Sequence, residues 1–585
     1  MAYYLWQNQV SSYADPCEET ENFGDDSSES EEDILSEESH NSDYETSTNS
    51  EIDDDEQENA THNRRILQPR ARGRPTTILK GRNGFKWHTR SGSRHSDRNS
   101  AAELITPAPQ HEASNVQKIE ELWKLLFNDE MLKIIVDCTN EKIEEVCLTM
   151  IRDNKRPRTC YRHYTNVAEI SAFIGLLYYS GRWKSNNVPT AHLWDKINGT
   201  TFYRCVMSRP RFTFIAQCLR FDVKASREPN DRLAPIRKLW DLFIGNCSRY
   251  YKPSKYCTVG KQFLSFQGKC PFRMFIKSKP DKCGIKIITL NDARTSYLIH
   301  GVPYLGKIGN SPTKTAEDFF AEVTKPIHGT RRSVTCDDSF TSIPLLINML
   351  KAPYSMEITG TIRKNKREIP AEFLLVDKKP PSTKFAFTSD LTLLSFSPKK
   401  YKVVVLASSH LRTTNITGRK SDIVHHYNIT KVGTDTFDQL CNSYTTARVT
   451  RRWPLRFFFG MLDQAIVNAR ILHKCSAINR GEDHEIMSPS KCLDEIIQYL
   501  VRPYLQERLE TLSLRLNIKF AIGGILRREH QMAASEGIRH LDKKIRCRLC
   551  PRSRDRKTRQ MCPSCHRPMC DEHRILLCLE CGGMK

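Results

Sequence analysis

Ser333-Val334-Thr335-Cys336-Asp337-Asp338 reads as a short β-strand that ends in two carboxylates. Valine and threonine fit a pleated, half-buried surface. Farther on, Lys431-Val432-Gly433-Thr434-Asp435-Thr436-Phe437-Asp438-Gln439 opens a helix with Asp435 and Asp438 at i and i+3, on one face. A carboxylate at a strand end and another on a later helix gather hard oxygen ligands for Mg²⁺. Two such ions, ~3.5–4 Å apart, drive in-line phosphoryl transfer. Asp435 could equally cap its helix.

Working outward, β-prone runs surround this strand: Gln262–Gln267, Ile285–Leu290, Ser296–His300 and Ser355–Ile362, then Leu391–Phe396 and Tyr401–Leu406. Their length and alternation predict an α/β or α+β sheet. Helical patterning flanks it. Ile119, Leu122, Leu125, Leu126 and Phe127 recur at helical spacing, followed by Met131, Ile134 and Ile135. Further helix is expected over Ile170–Tyr179, Phe212–Cys247, Asp435–Thr446 and 488–530, and most strongly over Pro454–Leu472, where Pro454 suits the first turn.

The 585 residues leave room for two to four domains. No run approaches ~20 apolar residues, so a membrane span is not expected, and Met1–Ser11 lacks the pattern of a secretory signal. The net charge of +22 hides a division: residues 1–63 carry 20 acids and no Lys or Arg, so the remainder carries +42. The acidic segment cannot bury enough apolar area to order itself, and we read it as a disordered tail. A body so basic suggests a polyanionic partner, nucleic acid first. Residues 64–115 read as a basic disordered linker, with ordered structure starting near Val116. Its word Arg72-Gly73-Arg74-Pro75 suits either an A·T-rich minor groove or a plain import signal.

The C-terminal tail carries four pairs: Cys547-x2-Cys550, Cys562-x2-Cys565, Cys570-x2-His573 and Cys578-x2-Cys581. Eight such ligands suit two closed structural Zn²⁺ sites. Two pairings are open. An interleaved cross-brace puts pairs one and three on one ion; a side-by-side arrangement joins one with two. Arg546 and Arg548 stand beside the first pair and suit phosphate.

Longer words occur in order: Cys270-Pro271-Phe272-Arg273-Met274-Phe275-Ile276, Cys283-Gly284-Ile285-Lys286-Ile287, Pro303-Tyr304-Leu305-Gly306, Thr335-Cys336-Asp337, Phe340-Thr341-Ser342-Ile343-Pro344, Asn365-Lys366-Arg367-Glu368-Ile369-Pro370 and Arg452-Trp453-Pro454. With the cysteine tail they closely resemble the piggyBac transposases, over roughly residues 117–583. The resemblance implies a multidomain chain with an RNase H-like α/β core over 256–371 and 422–451. A β-rich insertion over 372–421 would interrupt it. All-α dimerisation and DNA-binding segments would span 116–255 and 452–530. A linker over 531–545 would lead to a cross-brace zinc module over 546–583. It implies double-stranded DNA as partner, TTAA sites, a homodimer, nuclear residence and a three-aspartate centre using Mg²⁺. The second aspartate falls on Asp337 and the third on Asp435, with the nearby family acid on Asp438; Arg451 and Arg452 join the candidate DNA contacts. The first falls on Gly260, followed by Lys261, and no Asp or Glu lies between Tyr251 and Lys279. The expected function is a transposase-derived DNA-binding protein impaired in cleavage. Residual metal-dependent transposase or nuclease activity is the alternative, and a zinc module that binds chromatin proteins is a second.

Overall fold

The computed structural model describes residues 77–91, 105–276, 282–306, 314–376, 379–511, 514–527, 540–561 and 567–573. Its centre is an eleven-stranded mixed sheet. The strands are β1 (Ile78–Lys80), β2 (Lys86–His88), β3 (Tyr256–Ser265), β4 (Cys283–Asp292), β5 (Leu298–Pro303), β6 (Ser333–Cys336), β7 (Glu357–Thr361), β8 (Ser382–Phe387), β9 (Thr392–Ser397) and β10 (Val404–Ser408). The eleventh is the two-residue strand Met274–Phe275. The order is β1-β2-β8-β9-β10-β7-β6-β3-β4, with β5 and Met274–Phe275 both pairing with β4. Strands β3, β6 and β7 run parallel; β4 is antiparallel to both of its neighbours β3 and β5. Strand β4 is buried along most of its length, with Ile285, Ile287, Ile288 and Leu290 all inside.

Helices α1 (Ile119–Leu126), α2 (Asp129–Arg152), α3 (Val167–Arg182), α4 (Arg209–Cys218) and α5 (Arg237–Arg249) precede the sheet. Asn128 and Asn166 cap α2 and α3 by accepting from Met131 N and Glu169 N. Helices α6 (Ala316–Val323) and α7 (Ile343–Met349) lie in the connections into and out of β6. After β10 come α8 (Asp422–Ser443), α9 (Trp453–Arg480), α10 (Pro489–Glu510) and α11 (Leu516–Arg527).

Helix α9 is buried on almost every side, its polar residues Asp463, Gln464 and Asn468 included. It joins the bundle to the sheet. Tyr178 of α3 accepts from Trp123 Nε1 of α1 and donates to Leu462 O of α9, both at 2.8 Å. On the sheet side, Gln464 donates to Gln262 Oε1 of β3 at 2.7 Å, and Asn468 brackets both backbone groups of Leu298. The described helices α1 and α3 thus pack on α9, and α3 on α10. None of the described helices is long and apolar enough to cross a membrane.

Four expectations need correction. Strands β1 and β2 form a hairpin inside the stretch expected as a disordered linker, and β2 meets β8 at His88 and Phe387. Trp87 is fully buried there and donates to Glu368 O at 2.8 Å. The stretch expected as an insertion, 372–421, continues the same sheet through β10 and β7. The linker expected over 531–545 ends in a strand, His540–Arg546, which pairs with Lys557–Gln560. Helix α8 starts at Asp422, capped by Ser421, so Asp435 sits mid-helix and caps nothing.

Candidate catalytic centre and metal site

The parallel pairing of β3 with β6 runs from Tyr256↔Ser333 to Val259↔Cys336. One step farther brings Gly260 beside Asp337. Helix α8 crosses this point at very short range. A Cβ on Gly260 would lie 2.7 Å from Thr434 Cγ2, and one on Gly433 would lie 2.7 Å from Thr258 Cγ2. The two glycines let strand and helix backbones approach closely. Hydroxyls fasten the seam: Thr434 donates to Asn291 Oδ1 at 3.1 Å, and Thr430 and Thr335 share a bond of 2.6 Å. Asp435 follows Thr434 and is exposed; Asp438 is half-buried one turn on.

Asp337 is already engaged. Its Oδ2 accepts from Lys261 Nζ at 2.9 Å. Its Oδ1 accepts from Ser339 N at 3.1 Å and from the Ser339 hydroxyl. Asp338 lies 3.8 Å from Arg363 Nε, and burial, then the charge of Asp337, raises its pKa. Lys286 of β4 stacks over the Tyr304 ring at 4.8 Å; burial, then the charge of Lys261, pushes it down to about 8. Sequence reasoning missed Lys286, although a lone cation inside the apolar word Cys283–Ile287 was a visible signal.

These residues do not fit a catalytic dication. Gly260 offers no side-chain oxygen, an ammonium holds one oxygen of Asp337, and Lys286 and Arg363 add positive charge close by. Among the described residues, Asp337, Asp435 and Asp438 form no cluster of converging ligand atoms.

The cysteine module behaves differently. Cys547, Cys550, Cys570 and His573 bring their ligand atoms within 4.8 Å of one another. Cys550 Sγ is 3.6 Å from Cys570 Sγ, and His573 Nδ1 is 3.2–3.7 Å from all three sulfurs. A tetrahedral ion with bonds of ~2.3 Å to sulfur needs edges of about 3.8 Å, so the set fits Zn²⁺. Burial alone would raise the Cys547 thiol, but backbone hydrogen bonds at Cys570, Leu549 and Cys550 outweigh it and bring it down to about 6. Local folding explains the geometry: Cys547 follows the first strand of the hairpin and donates its N–H to Arg556 O at 2.7 Å, while His573 closes a short turn from Cys570. Pairs one and three are therefore together, as in the interleaved arrangement. Cys562, Cys565, Cys578 and Cys581 lie outside the described residues. Arg567 stacks over Phe520 of α11 at 4.4 Å and ties the module to the bundle.

The candidate DNA contacts divide. Arg72 and Arg74 lie outside the described residues. Arg451 and Arg548 are exposed. Arg546 approaches Asp555 at 3.5 Å. Arg452 turns inward: its guanidinium donates to the carbonyls of Ala216, Gln217 and Leu219 at the end of α4, so it holds the bundle together.

A family model described as Transposase IS4 matches residues 120–470. A cryo-EM structure of a piggyBac transposase synaptic complex with hairpin DNA is 35% identical to this chain. The match covers 81% of this chain and 99% of that one, with a TM-score of 0.69.

Proposed function

The chain belongs to the piggyBac transposase family, and from that premise we propose a transposase-derived DNA-binding protein that no longer cuts DNA efficiently. The observation that carries this reading is the Lys261–Asp337 ion pair, 2.9 Å long, beside a Gly260 that has no side chain. An ammonium there offsets the negative charge that would attract a dication. Losing a metal ligand removes several kcal/mol of transition-state stabilisation, and each ~1.4 kcal/mol is tenfold in rate. The solved relative was captured with hairpin DNA, which supports DNA as the partner of this chain. The antiparallel trio β5-β4-β3 continued by parallel β6 and β7 supports an RNase H-like core. The same proposal includes Zn²⁺ as the ion of the cysteine module, a homodimer formed through the helical segments, and residence in the nucleus.

The test is a cleavage assay on labelled duplexes with TTAA-flanked ends, in Mg²⁺ and in Mn²⁺, with binding measured in parallel. Wild type should bind and leave the DNA intact. Metal-dependent cutting that Asp337→Asn abolishes would overturn the proposal.

A further inference from the structure

The residues around Asp337 are poorly suited to a cation but well suited to an anion. Three cations, Lys261, Lys286 and Arg363, gather at Asp337 and Asp338, while the other two acids of the centre, Asp435 and Asp438, are carried by α8. The Lys261 side chain keeps 29% of its surface exposed while it holds Asp337. An ammonium has three donors, and Asp337 Oδ2 takes one of them. Phe340 backs the same ammonium, its ring centroid 5.7 Å away, and limits how far the side chain can swing. Lysine meets phosphate as a point charge and needs no planar geometry.

We infer that the Lys261–Asp337 pair, flanked by Lys286 and Arg363, is a metal-independent binding site for a phosphodiester of the DNA backbone. Lys261 presents its remaining donors to a phosphate oxygen, Asp337 orients the ammonium, and Arg363 adds charge at the rim. The inference rests on the reading that this chain binds DNA.

The test uses the full-length chain and a fluorescent duplex in EDTA across a range of salt concentrations. Wild type should bind equally well when Ca²⁺ replaces EDTA. Lys261→Gln should weaken binding on the order of tenfold, the scale of one charge-assisted hydrogen bond. Its log–log salt slope should fall by about 0.9, the signature of one lost phosphate contact. Lys261→Arg should restore the slope. Asp337→Asn, which removes the neutralising carboxylate, should tighten binding in EDTA, so the two substitutions move affinity in opposite directions. Melting curves of each variant separate lost contacts from lost folding. If wild type binds and both Lys261→Gln and Asp337→Asn match it in affinity and slope, the inference is overturned. If wild type binds no duplex at all, the DNA reading falls and this site falls with it.

Discussion

Gly260 and Thr434 are in contact at a distance that no side chain on Gly260 could keep: a Cβ there would meet Thr434 Cγ2 at 2.7 Å, Cβ at 2.8 Å and Oγ1 at 2.9 Å. Thr434 is β-branched, stiff at χ1 and bonded to Asn291, so helix α8 must shift to make room. Gly260→Ala should therefore destabilise the chain by about 1–3 kcal/mol, the usual cost of overpacking. Gly245 offers the control: it lies within α5 with open space at its Cβ position, and Gly245→Ala should raise stability by about 0.5–1 kcal/mol. Thermal melts of both variants measure this, and equal shifts would contradict the close approach of β3 and α8. Gly260→Asp carries the same burden, so it should not restore cleavage by itself.

Sharing of one ion by Cys547, Cys550, Cys570 and His573 predicts non-additive metal loss. Cys547→Ser and Cys570→Ser should each lower zinc content by about one ion per chain, and the double variant should lose no more than either single one. Elemental analysis of purified protein reads this directly. A double variant that loses two ions would mean that the two pairs serve different sites.

Glu169 and Arg211 form a buried pair with two short bonds, 2.8 and 2.6 Å, and Tyr504 donates to Glu169 Oε1 at 2.8 Å. Both side chains are 3% exposed. Burial alone would raise the Glu169 pKa, but the bonds and charge of Arg211 outweigh it and lower it. Glu169→Gln leaves a buried guanidinium without its counter-charge and should cost about 3–5 kcal/mol. Tyr504→Phe removes one bond to a charged group and should cost about 1.5–3 kcal/mol. Denaturant unfolding that gave both variants wild-type stability would remove this triad from the list of what fastens α3, α4 and α10.

His426 packs beside His410, ring centroids 5.0 Å apart, and burial followed by the charges of His410 and Lys255 pushes it down to about 4. The unfolded chain holds its histidines near 6.5. Between these values the unfolded state binds more protons, so the stability from a neutral His426 is complete above about 6.5 and is lost as pH falls towards 4. His426→Phe should lower the acid-side slope of stability against pH by about one proton; an unchanged slope would refute the shift.

The strand ending at Asp337 was legible because a short β-branched run leads straight into acids. The grouping of Cys547, Cys550, Cys570 and His573 was legible from spacing alone, and Pro454 does lie in the first turn of α9. Helix α8 was only half legible. Between Asp422 and Thr434 it carries Ile423, Val424, Ile429, Thr430, Val432 and Gly433, which are weak helix formers. Packing on the sheet imposes the helix there, and a local pattern does not report packing. Lys261 was visible as a cation next to Gly260. Its bond to Asp337 joins residues 76 apart in the chain, and only the register of β3 against β6 brings them together. Arg452 looked like a phosphate contact because charge was all the sequence offered; its three carbonyl partners lie more than 230 residues away.

The hairpin at Ile78–His88 sets where a shortened chain can begin. A truncation starting at the first helix would vacate the seat of Trp87 against Glu368 and strip β8 of its neighbour at Phe387. That would uncover the backbone at Phe387 on the outer strand β8 and empty the apolar seat of Trp87, the kind of border on which other chains assemble. Expression trials should then favour versions that start at or before Thr77 over versions that start at Val116, with the latter running as aggregates on size exclusion.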